Sequence, residues 1–116
     1  MTEKELKQRT KQFALRIIKL VGALPKSVEG RAIGAQLVRS GTSVGANYRA
    51  ACRGRSKAEF ISKLGTVEEE ADESAYWMEL IIDGSLLPTR RVNALYQEAC
   101  ELTAIMAVSR ISASAG

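Results

Sequence analysis

Only two prolines, Pro25 and Pro88, interrupt the whole chain. The long stretches between them therefore hold nothing that forbids a helix. Their apolar residues recur at steps of three and four, the spacing of one helical face. In the first stretch Leu6, Phe13, Ile17, Leu20 and Leu24 form a heptad-like seam. Ala14, Ile18 and Val21 widen it. Arg9 and Arg16 share one flank of this helix, and Lys4 and Lys11 share another. Leu24-Pro25 ends it, because the residue before proline avoids the helical region.

A second helix starts near Ser27, a plausible N-cap, and stops near Gly54. Its seam is Ile33, Leu37, Val44, Tyr48 and Ala51. Gly34, Gly41 and Gly45 lie in its interior, at about 0.8–1 kcal/mol each against alanine. A helix that tolerates them needs a neighbouring backbone at close range. The competing possibility is a break at Ser40-Gly41-Thr42-Ser43. Gln36, Ser40, Ser43 and Asn47 form a polar row beside the seam, and such a row must be hydrated or hydrogen-bonded.

Ser56-Lys57-Ala58-Glu59 reads as a capping box opening a third helix. Its seam is Phe60, Leu64, Val67, Ala71, Ser74, Met78 and Ile81, flanked by Glu70, Glu73 and Trp77. Asp83-Gly84-Ser85 closes it. Pro88-Thr89 opens a fourth helix with Val92, Leu95, Ala99, Leu102 and Met106 inward. Ile105 and Val108 are spare apolar surface, and the tail from Ser112 should fray. The expected fold is all-α. It is one up-down-up-down antiparallel four-helix bundle with helices over about 3–24, 28–53, 57–83 and 89–111. The surplus apolar faces on the first and fourth helices suggest burial between subunits; a loose monomer core is the alternative.

The net charge of +4 hides an asymmetry: residues 1–57 carry +10 and residues 58–116 carry −6. One half must present a basic surface unless the acidic helix covers it. Arg49, Arg53, Arg55 and Lys57 cluster at the central hairpin. Arg31 lies along the same helix, and Arg9 and Arg16 are possible contributors. Together they are candidate phosphate contacts, which bind by charge without reading sequence. No aromatic lies among them to stack single strands. Gln36, Arg39, Ser40, Ser43, Asn47, Glu70 and Glu73 are a candidate structural polar core. Within it Asn47 is expected to be buried and bonded to Glu70 or Glu73.

No catalytic site, metal site or cofactor site can be read. Glu70 with Glu73 resembles half of a carboxylate metal site, but the chain has no histidine. Glu98 and Glu101 fall away from their seam, and neither Cys52 nor Cys100 has a base to activate it. Buried thiols, a charged N-terminus and the lack of a long apolar run predict a cytoplasmic protein without signal peptide or membrane span. An interaction scaffold remains an alternative to a nucleic-acid binder.

Three runs together carry a resemblance. They are Gln36-Leu37-Val38-Arg39-Ser40-x-x-Ser43-Val44-x-x-Asn47, Arg55-Ser56-Lys57-x-Glu59-Phe60, and Glu70-Ala71-x-Glu73 with Trp77. Over about residues 10–110 the chain resembles the bacterial 23S ribosomal RNA intervening-sequence proteins. That group includes the accessory variability determinant proteins of diversity-generating retroelements. The resemblance implies a ring-like homopentamer of bundles with a basic surface. As partners it implies RNA or DNA and, for the retroelement members, a reverse transcriptase. Many members carry Glu-Gly soon after the asparagine, where this chain has Arg49-Ala50-Ala51.

Overall fold

The computed structural model describes residues Met1–Gly116. It contains four helices: α1 (Glu3–Gly22), α2 (Val28–Cys52), α3 (Lys57–Asp83) and α4 (Thr89–Ala115). The connections are too short to cross the molecule, which measures 46 × 20 × 19 Å. Consecutive helices therefore run antiparallel. Packing partners confirm it: Gly34 of α2 lies against Val21 and Leu24, Gly41 against Ile17, and Gly45 against Thr10. Each helix packs on its chain neighbours, and α4 closes the bundle on α1 less closely.

The expected seams form the core. Leu37, Val44, Leu64, Val67, Met78, Ile81, Val92, Leu102 and Met106 are among its buried members. Ile33 and Phe60 reach it only in part. Thr10 is a buried polar member that apolar spacing could not show. Its hydroxyl donates to the Leu6 and Lys7 carbonyls of its own helix, which makes it compatible with the core.

Helix ends follow local chemistry. Ser27 accepts from the Gly30 amide and starts α2. Ser56 accepts from the Glu59 amide, but the exposed Glu59 carboxylate makes no return bond, so this is half of the expected box. The complete box is at Thr2, whose hydroxyl takes the Glu5 amide while Glu5 takes the Thr2 amide. Gly54 has no positive φ. It is required for closeness instead: a Cβ there would lie 3.0 Å from the Ala51 carbonyl and 3.3 Å from the Phe60 amide. α1 stops at Gly22, short of the expected Leu24, where Ala23 caps it. α4 continues through the expected fraying segment to Ala115.

α2 is unbroken at residues 40–43, and Gly34, Gly41 and Gly45 face α1. No helix is long and apolar enough to cross a membrane.

Candidate nucleic-acid interface

The α2–α3 connection sets Arg53, Arg55 and Lys57 at one end of the bundle, all exposed. Arg49, also exposed, is one turn back on α2. Because α1 runs antiparallel to α2, its first turns reach the same end and bring Lys4, Lys7 and Lys11 beside Arg49. These four cations line a groove of about 690 Å³ between α1 and α2. Gln8, Thr42, Ala14, Gly45 and Ala46 complete most of its wall. Its one acid, Glu3, is bound to Lys7 at 3.1 Å, and that bond holds the Glu3 carboxyl below its ordinary range. Lys4, Lys11 and Arg49 form no ion pair. Such a concave, predominantly cationic surface suits phosphates, which it would meet without reading bases.

Lys4, Lys7 and Lys11 belong with the hairpin arginines, although sequence reasoning left them out. Lys4 and Lys11 were read as sharing a flank, and Lys7, three residues after Lys4, lies on it too. What could not be read was which neighbour that face borders. Arg31 does not join the cluster. It is eighteen residues before Arg49 on one helix, about 27 Å away along the axis.

Arg9 corrects the expectation that it adds to the free basic surface. Its Nε and Nη2 donate to the two Glu98 carboxylate oxygens at 2.7 Å each, and Nη2 also reaches Glu101 at 3.3 Å. Glu98 and Glu101 miss their own seam but border α1, so they neutralise Arg9. Arg16 remains exposed, on the flank of α1 that faces α4.

The polar row resolves differently from its expectation. Ser40 and Ser74 share a buried hydrogen bond at 2.9 Å between α2 and α3. Asn47 is half-buried and donates to the Ser43 carbonyl of its own helix at 2.9 Å, not to Glu70 or Glu73. Ser43 likewise donates to the Arg39 carbonyl. Short polar side chains find a carbonyl one turn back more readily than a neighbouring helix. Gln36 is exposed and contributes nothing to a core.

The longer Arg39 side chain does span the gap. It donates to Glu70 at 2.9 Å and to Glu73, which also accepts from the Trp77 indole at 3.0 Å. Desolvation pushes the Glu73 carboxyl up. The Trp77 and Arg39 bonds outweigh it and hold the group below its ordinary value. Arg39, Glu70 and Glu73 thus form a partly exposed clasp at the α2–α3 seam. On α2 itself, burial pushes the Tyr48 phenol well above its ordinary range, with the Cys52 contact adding to it.

Four antiparallel helices with one markedly cationic end define a small bundle protein. The family model for the 23S rRNA-intervening sequence protein matches residues 2–108, and this chain belongs to that family. Among solved structures it is similar to a protein of unknown function from the S23 ribosomal protein family of Bacteroides thetaiotaomicron VPI-5482. The two are 31% identical with a TM-score of 0.87, over 95% of this chain and 98% of that one. No curated protein matches the sequence.

Proposed function

We propose that this chain is a non-enzymatic, cytoplasmic, nucleic-acid-binding protein that works as a ring-like homo-oligomer. It holds RNA or DNA by the phosphate backbone. The observation that carries this reading is the α1–α2 groove, where Lys4, Lys7, Lys11 and Arg49 face one acid, beside Arg53, Arg55 and Lys57. The acidic run of α3 does not cover this end: its inward carboxylates Glu70 and Glu73 are engaged with Arg39. Binding of this kind releases counterions, at about −0.9 in the logarithmic salt slope per phosphate on a duplex.

A mobility-shift titration of short duplex RNA and DNA against salt tests it. The parent is expected to bind with a slope of about −3 or steeper. The pair Lys11→Glu with Arg49→Glu is expected to lose at least tenfold in affinity at low salt. Failure of the parent to bind either duplex at low salt would overturn the proposal.

A second reading, a protein scaffold without nucleic acid, is favoured by a separate observation. Leu15, Ile18, Tyr76, Val108 and Ile111 expose about half of their surface or more. Native mass spectrometry that finds a protein partner and no nucleic acid would favour it.

A further inference from the structure

The α1–α4 seam carries the same two-turn register on both sides. Arg9 and Arg16 are seven residues apart on α1, and Arg91 and Glu98 are seven apart on α4. Seven residues are two turns, so each pair occupies one stripe of its helix. At one level of the seam Arg9 meets Glu98 in a two-pronged ion pair. Two turns along, the helices run antiparallel and the partners become Arg16 and Arg91. Both line a groove of about 290 Å³, together with Lys19, Leu20, Ala94 and Leu95. No carboxylate lines it, and none of the three cations forms an ion pair. Like charges converge where the register has an opposite pair two turns away. Their mutual repulsion is relieved only by hydration or by an anion.

We propose that this groove is a second anion site, separate from the α1–α2 groove, which takes a phosphate group between Arg16, Lys19 and Arg91. It lies on the other flank of α1. Arg16 is five residues beyond Lys11, about 7.5 Å along the axis but about 140° around it, so the two grooves open on different sides of α1. Two guanidinium forks and an ammonium match the oxygens of a phosphate, and Leu20 and Leu95 beneath them are buried. The site stands independently of the function proposed above. The phosphate it takes belongs either to a nucleic-acid backbone or to a free phosphorylated anion.

The test silences the first groove with Lys11→Glu and Arg49→Glu. Sodium pyrophosphate is then titrated calorimetrically at constant ionic strength, with and without Arg91→Glu. One pyrophosphate per chain is expected in the double variant, weakened at least tenfold by Arg91→Glu. The milder Lys19→Gln is expected to weaken it about threefold. Arg91→Glu gives Arg16 the kind of partner Arg9 already has, so it is expected to melt no lower than the parent. Absence of pyrophosphate binding in the double variant, or equal binding with and without Arg91→Glu, overturns the site. A short duplex distinguishes the sources. If Arg91→Glu also flattens the salt slope of duplex binding, the phosphate is the backbone's. If it weakens pyrophosphate alone, the ligand is a free anion, and the site stands in both cases. A duplex that binds no variant and no parent would sink the function above while leaving this groove intact.

Discussion

A methyl group added at Gly41 would lie 2.8 Å from both Cγ1 and Cγ2 of Ile17, which is fully buried. The same change at Gly65 of α3 would meet only Arg110 Cδ at 3.7 Å. Both substitutions gain helix propensity, about 1 kcal/mol, but only the first overfills a core, at about 1–3 kcal/mol. Gly65→Ala is therefore expected to stabilise the fold by about 0.5–1 kcal/mol, and Gly41→Ala to destabilise it by about 1 kcal/mol. Denaturant midpoints check this; equal stabilisation by both would mean that α1 and α2 do not pack this closely. Three glycines inside one amphipathic pattern were legible as a demand for closeness. That α1 meets them was not, because the pattern of α2 is the same whichever neighbour lies against its glycine face.

Where α2 meets α3, the Arg39 clasp makes stability depend on acid. Glu73 titrates below its ordinary range in the fold. The folded state thus binds fewer protons than the unfolded one between the two values. Its contribution is present above the unfolded carboxyl pKa, about 4.3, and is lost as pH falls through the lower folded value. Melting temperatures are expected to hold between pH 7 and about 5 and to drop below about 4. Glu73→Gln keeps an acceptor for Trp77 but removes the charge, and it is expected to flatten that drop. Melts from pH 3 to 7 with an unchanged acid limb in the variant would refute the assignment. Sequence reasoning placed Glu70 and Glu73 at this seam through their spacing from Trp77 and Ala71. It chose Asn47 as the partner, whereas the α2 side chain that reaches these two carboxylates is Arg39.

Across the whole molecule, two pairs of large apolar side chains are left exposed, besides the single residues Met1, Val28 and Tyr76. Leu15 and Ile18 are exposed near the middle and end of α1; Val108 and Ile111 are exposed near the far end of α4. We place these residues between subunits of the proposed assembly. Leu15→Glu with Ile18→Glu is expected to shift the protein to monomers without loss of helical signal. Sedimentation velocity checks it, and an unshifted assembly would exclude α1 from the interface. The charge is divided at this scale too. Of seventeen Lys and Arg side chains, only Lys7, Arg9, Arg39 and Arg110 are held in ion pairs. Most of the excess positive charge is thus left on the surface.

The chain's periodicity, its two prolines and its capping residues were enough to determine the helices, their inward faces and their alternating direction. These depend on spacing within one segment and on short connections. Which side chains meet between segments was decided only by the tertiary structure. Arg9 and Arg16 share one stripe, yet one is neutralised by Glu98 and the other faces Arg91. Lys4, Lys7 and Lys11 join Arg49 only because α1 turns back along α2. A flank's charge can be read along one helix, but its neighbour is chosen by how four helices fit around a common core.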